Sequence, residues 1–144
     1  MIVMWNRILH LVFAGICAVE DYRTRQISVS VFLIFAVIGT VMTCLMKRSM
    51  NEVFNALIPG LLLAALSFAS SGCIGIGDAL FVIVGGLFAD INKMMEYVLI
   101  TWILSSGIAL IMIVKCQFVK NGKRPKGLPF VTLMAAVMLV CLFR

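Results

Sequence analysis

The chain has 144 residues, of which 63% are hydrophobic and only 12% charged. A soluble domain is nearer one half apolar, so an ordinary water-soluble fold is excluded, and a single all-α polytopic membrane domain over residues 1–144 is expected. The net charge of +6 comes from twelve Lys and Arg against six Asp and Glu. These basic residues stand in short gaps between apolar runs, where they set topology and meet anionic lipid headgroups; no nucleic-acid partner is expected.

A helix crossing about 30 Å of hydrocarbon needs about 20 residues, within a range of about 17–25. In chain order, the first apolar run is Ile8 to Val19, which reaches that length only if Met1 to Arg7 join it. Arg7 ahead of a short apolar core also fits a signal peptide cut near Ala18, but the stretch that follows, Glu20 to Gln26, reads as a working loop. Ile27 to Met46 is a full span, and Val53 to Ala69 a shorter but clear one. Ala79 to Ile91 is short unless its helix begins near Gly75. Met94 to Val114 is a full span and Leu128 to Phe143 again a short one. Six transmembrane helices are therefore predicted, the short ones served by local thinning of the bilayer.

The cysteines at 17, 44, 73, 116 and 141 stand singly, without a C-x-x-C pair, and read as small apolar residues. The one histidine, His10, has no partner at ligand spacing, so no metal site is expected. Small residues recur on several spans (Gly60, Ala64, Ala65; Gly85, Gly86, Ala89; Ser105, Ser106, Gly107, Ala109) and suit helix packing within one chain or in a homo-oligomer.

Six spans place the loops alternately on two sides. Loops 1–2, 3–4 and 5–6 hold seven basic residues, Arg23, Arg25, Lys115, Lys120, Lys123, Arg124 and Lys126. The other side holds five, Arg7, Lys47, Arg48, Lys93 and Arg144. The positive-inside rule then puts the first set in the cytoplasm and both termini outside, with residues 115–127 carrying most of the bias.

This topology sorts the acids. Asp21 follows the first span and Asp78 precedes the fourth, so both fall at cytoplasmic helix ends although 78 − 21 = 57 positions separate them. Asp90 lies twelve residues beyond Asp78, or roughly 18 Å along a helix, at the far end with Glu52 and Glu96. Glu20 adjoins Asp21, but neighbouring residues on a helix point about 100° apart. Ionisable groups at membrane depth are expensive and usually functional. Two carboxylates that approach each other share a proton, so that one accepts a proton from water while the other hydrogen-bonds a peptide carbonyl. That is aspartic-protease chemistry, without metal or cofactor. Gly75 and Gly77, with no Cβ, would let the backbone take positive φ and let a substrate or helix approach Asp78. The competing reading is that the glycines pack a tight turn and Asp78 caps its helix.

The stretch GIGD, residues 75–78, resembles the G-x-G-D motif of the GxGD intramembrane aspartic proteases, which include the type IV prepilin peptidases, the archaeal preflagellin peptidases and, more distantly, the presenilins. DYRTRQI, residues 21–27, is similar to the prepilin-peptidase pattern of an aspartate, basic residues two and four positions on, and isoleucine at the sixth; LPF, residues 128–130, resembles the start of that family's last helix. The resemblance implies Asp21 and Asp78 as catalytic residues, Gly75 and Gly77 as loop-shaping ones, and Arg23 and Arg25 as candidate substrate contacts. It implies a plasma-membrane peptidase, its active site facing the cytoplasm, that removes the basic leader of prepilin-like precursors, commonly after a glycine. The chain departs from the pattern in Ser28 and Val29, where proline and asparagine are frequent, and in Leu80, where a lysine is frequent. It lacks the cysteine-paired methyltransferase insert of longer members, so no cofactor is implied. Three alternatives stay open: a non-enzymatic component of a secretion or transport assembly, an inactive relative, and a GxGD protease with another substrate.

Overall fold

The computed structural model describes residues 1–24, 26–69, 75–118 and 130–142, which form six α-helices. They are α1 (Ile2–Thr24), α2 (Val29–Leu45), α3 (Met50–Ala69), α4 (Ile76–Phe88), α5 (Ile91–Phe118) and α6 (Phe130–Leu142). The main part of each predicted apolar run falls on one helix, with differences at the ends. The second, expected as a full span from Ile27 to Met46, is helical only over Val29–Leu45. The fourth stops at Phe88, so that Ile91 opens the next helix, and residues 128, 129 and 143 of the sixth lie outside the described residues. The first extends in both directions, taking in residues 2–7 and continuing past Val19, so Asp21 stands on the helix itself. The fourth begins directly after Gly75, as its length required.

Among the described residues, α1 and α3 are long and apolar enough to cross a bilayer, whereas α2, α4 and α6 are apolar but shorter. The outside of the bundle is greasy: Leu33, Ile34 and Val37 on α2, Leu61 and Leu62 on α3, and Ile103 on α5 are all exposed. A contiguous apolar exterior of this kind suits lipid rather than water.

α4 is the hub and touches all five other helices. It has 13 residues, so it is only about 20 Å long, well short of the hydrocarbon thickness. Its C-terminal end is sheltered, with Phe88 and Ala89 buried, so the groups there have to be satisfied by protein, whereas Gly75 and Ile76 at its start are exposed. Its middle meets an aromatic core. The Phe13 ring on α1 lies 5.1 Å from those of Phe81 and Phe35 and 6.3 Å from those of Phe32 and Phe88, tying α1, α2 and α4 together. With Phe13 fully buried at its centre, α1 is an integral part of this core.

α3 and α4 approach so closely that their backbones nearly touch. A Cβ on Gly60 would sit 2.6 Å from the Ile83 nitrogen, and one on Gly86 would run into the Ala56 carbonyl oxygen. Two of the predicted small-residue positions thus pack within the chain, while a Cβ on Gly107 would meet no atom of the described residues within 4 Å.

Candidate active site

One end of α4 carries Asp78. Gly75 is the N-cap, with φ −67° and ψ 131°, and the Asp78 N–H donates to the Gly75 carbonyl at 3.1 Å. The Asp78 carboxylate in turn accepts the Gly75 N–H. Asp78 is the third residue of the helix, so this is the reaching-back half of a capping box, and it fixes the carboxylate over the helix start. Gly75 does not have the positive φ expected of it; its backbone is extended and open to any residue. Its missing Cβ matters for space instead: a Cβ there would lie 3.1 Å from an Asp78 carboxylate oxygen, which would have to give way by a few tenths of an ångström. Gly77 lies inside α4, and a Cβ on it would meet no atom within 4 Å. Its missing side chain leaves room that no part of the described protein uses.

Asp21 is buried near the C-terminal end of α1. Its Oδ2 accepts the backbone N–H of Thr132 at 3.2 Å and the Thr132 hydroxyl, also at 3.2 Å. Thr132 is the third residue of α6, where backbone N–H groups have no partner inside the helix, so Asp21 caps a helix 111 positions away. The α6 terminus also presents its positive dipole end to this carboxylate.

The fold brings the two aspartates within electrostatic reach: Asp21 is one of the charges acting on the Asp78 carboxylate. Among the described residues no Lys or Arg forms an ion pair with either acid. Leu80, in the place of the frequent lysine, packs against the apolar core. Arg23 is exposed on the last turn of α1, two residues from Asp21. Arg25 and most of the basic segment 115–127 lie outside the described residues.

Glu20 is occupied elsewhere. Its two oxygens accept the Ser28 N–H at 2.9 Å and the Ser28 hydroxyl at 3.0 Å, closing the α1–α2 turn. The Thr24 hydroxyl, within 2.9 Å of the Glu20 carbonyl and 2.7 Å of the Gln26 carbonyl, tightens the same turn. Proline at position 28 would have no N–H to donate, so this clip depends on the departure noted at Ser28.

The other end of α4 is built differently. Lys47, at φ 52°, turns the chain sharply between α2 and α3 and delivers Arg48 beneath the helix. The Arg48 guanidinium donates to the carbonyls of Leu87 and Ala89 at 3.2 Å and of Gly86 at 3.5 Å, and pairs with Asp90 at 3.3 Å. The Asn6 amide donates to the Phe88 carbonyl at 2.7 Å. A cavity of about 710 Å³ opens beside this end, lined among others by Asn6, His10, Arg48, Asp90 and Tyr97. Asp90 is thus engaged by a cation, a helix length from Asp78, as the twelve-residue spacing predicts.

Sequence reasoning did not find Thr132, the Glu20–Ser28 clip or the Arg48 cap. Ser28 ahead of an apolar run was a legible helix-start signal. For Thr132 no local signal exists, because its role depends on a contact across the whole fold.

A comparison with known families gives one finding. The model of the type IV leader peptidase family matches residues 8–143, a stretch that includes Asp21, the GIGD motif and α6. No curated protein and no solved structure matches the chain. With nearly its whole length accounted for, the chain belongs to the type IV leader peptidase family, and by that membership it is a peptidase.

Proposed function

We propose that the chain is an aspartic endopeptidase that removes the leader of type IV prepilin or prepilin-like precursors at the cytoplasmic face of the plasma membrane, using Asp21 and Asp78. The observation that carries this reading is the approach of two acids 57 positions apart, on helices α1 and α4, with no cation paired to either among the described residues. A carboxylate pair in a sheltered site holds one proton between its members. The ionised member takes a proton from water as the water oxygen attacks the scissile carbonyl carbon. The protonated member gives its proton to the carbonyl oxygen, and a gem-diol results. The first acid then protonates the leaving nitrogen as the C–N bond breaks, and a diol hydroxyl returns a proton to the second. A new carboxyl and a new amino terminus leave, and the pair is restored.

Six spans with both termini outside would put Asp21 and Asp78 at the cytoplasmic boundary. A precursor with a short basic leader and an apolar helix behind it would bring its junction to the same depth. Recognition then comes mainly from the apolar segment lying against the bundle. A basic leader gains no steering from a protein of net charge +6. Arg23 and Arg25 are suited to meet an acidic residue just past the cut.

The test is cleavage of synthetic peptides by the purified protein. A peptide with a basic leader, a glycine at the junction and an apolar segment should be cut after the glycine. Replacing that glycine by a bulky residue should stop cleavage, and conservative changes among the leader lysines should matter less. Normal processing of the bulky peptide would mean a protease of another specificity.

A further inference from the structure

The two carboxylates are not held alike. Asp78 is tied to the start of its own helix through the Gly75 N–H. Asp21 is tied to another helix by two donors on one oxygen, the backbone N–H and the hydroxyl of Thr132, each at 3.2 Å from Oδ2. Donors aimed at a carboxylate favour its ionised form, and hydrogen bonds to a charged group are stronger than neutral ones. With Oδ2 engaged twice, Oδ1 is the oxygen left for chemistry.

The Thr132 hydroxyl has a second neighbour, the Ala18 carbonyl oxygen at 3.2 Å, one turn back along α1. One hydroxyl proton therefore has two acceptors in reach. When Asp21 is ionised, the hydroxyl donates to Oδ2. When Asp21 has taken a proton on Oδ1, Oδ2 becomes a neutral and weaker acceptor, and the hydroxyl can swing its own proton to the Ala18 carbonyl instead. Rotation of a single O–H bond matches both protonation states with no heavy-atom movement. A general base needs this property, because it has to change state within each turnover without losing its place.

We propose that Thr132 is a positioning residue that holds Asp21 as the ionised, water-activating member of the pair and leaves Asp78 as the member that protonates the carbonyl oxygen. This rests on the reading of Asp21 and Asp78 as the catalytic pair. The backbone N–H of residue 132 survives any substitution except proline, so side-chain variants remove the hydroxyl alone. Valine nearly matches threonine in shape and cannot take part in either bond.

The experiment compares Thr132→Val, Thr132→Ala and Thr132→Ser with the parent protein on the glycine-junction peptide across pH. Thr132→Val should lower kcat on the order of tenfold, the range for a lost hydrogen bond to a charged group, with KM nearly unchanged. The acid limb of the kcat profile should move to higher pH, because losing a donor weakens the ionised form. Thr132→Ala should show the same movement, and Thr132→Ser should restore both kcat and the limb. Parent-like kcat and limb in the valine and alanine variants would overturn the proposal, and so would lost activity in both with the limb unmoved, which is loss of structure. Asp21→Asn in the same series separates the two levels of inference. If it is inactive while the Thr132 variants are normal, only the positioning role fails; if it still cleaves, the catalytic pair itself is wrong.

Discussion

Helix α4 has an aspartate near each end, and the two could hardly be placed more differently. At Asp90 the carboxylate is 71% exposed, yet it faces a guanidinium that is only 7% exposed and that also holds three backbone carbonyls. With Asn6 on the Phe88 carbonyl, carbonyls 86 to 89 all have buried donors, and the negative end of the helix dipole meets a cation. At Asp78 no described cation is paired, a second carboxylate acts on it, and no described residue fills the space over Gly77. A short helix in the middle of a membrane bundle needs its C-terminal carbonyls covered, and the Arg48 end does that. The Asp78 end places two carboxylates within electrostatic reach, a cost that stability does not explain and that the proposed proton-sharing chemistry would.

The comparison can be sharpened by substitutions at both ends. The largest effect on stability is expected from Arg48→Ala. It leaves three helix-end carbonyls without their donor, so a loss of about 2–4 kcal/mol is expected in thermal or denaturant unfolding in detergent. Cleavage per folded molecule should stay close to that of the parent. A large loss of activity in protein that remains folded would mean that this end is not merely structural.

Smaller effects are expected at the glycines. Gly75→Ala places a Cβ 3.1 Å from an Asp78 carboxylate oxygen, which has to move. Cleavage should fall several-fold, on the order of threefold to tenfold, through misplacement of the carboxylate. Gly77→Ala meets nothing within 4 Å and sits in a helix, so stability should rise by up to about 1 kcal/mol and activity on a short peptide should stay within about twofold. Equal losses in both variants would contradict the contact with Asp78 as the reason for Gly75. A large loss at Gly77 alone would mean that substrate occupies the open space.

Much of this site was legible in the sequence. Hydrophobic run lengths locate all six helices, and the parity of the spans puts Asp21 and Asp78 on one side and Asp90 on the other. The parts that were not legible are tertiary. Asp21 is held from α6 by a residue 111 positions away, and no periodicity or motif encodes that contact. Arg48 counts, from sequence, as one of the loop charges that orient the chain. In the fold it is a buried cap, because the turn at Lys47 points it under α4. Gly75 was expected to serve through backbone freedom and by leaving room for a substrate or helix at Asp78; its N-cap backbone is extended and needs no positive φ, and the room beside it is taken by the Asp78 carboxylate itself. Helix existence follows from composition, whereas the partners of helix ends follow from how the helices pack.

The central claim is that the two ends of α4 are divided between chemistry and structure. Asp78→Asn and Asp90→Asn, prepared side by side and assayed for both cleavage and thermal unfolding, test it most directly. The account predicts a crossed result. Asp78→Asn should lose about 10³-fold or more in cleavage while unfolding within about 1 kcal/mol of the parent, since asparagine keeps the shape but cannot share a proton. Asp90→Asn should cleave nearly normally and lose about 0.5–1 kcal/mol of stability, the worth of a largely exposed partner to a buried arginine. Appreciable cleavage by Asp78→Asn, or loss of cleavage in folded Asp90→Asn, would contradict the account.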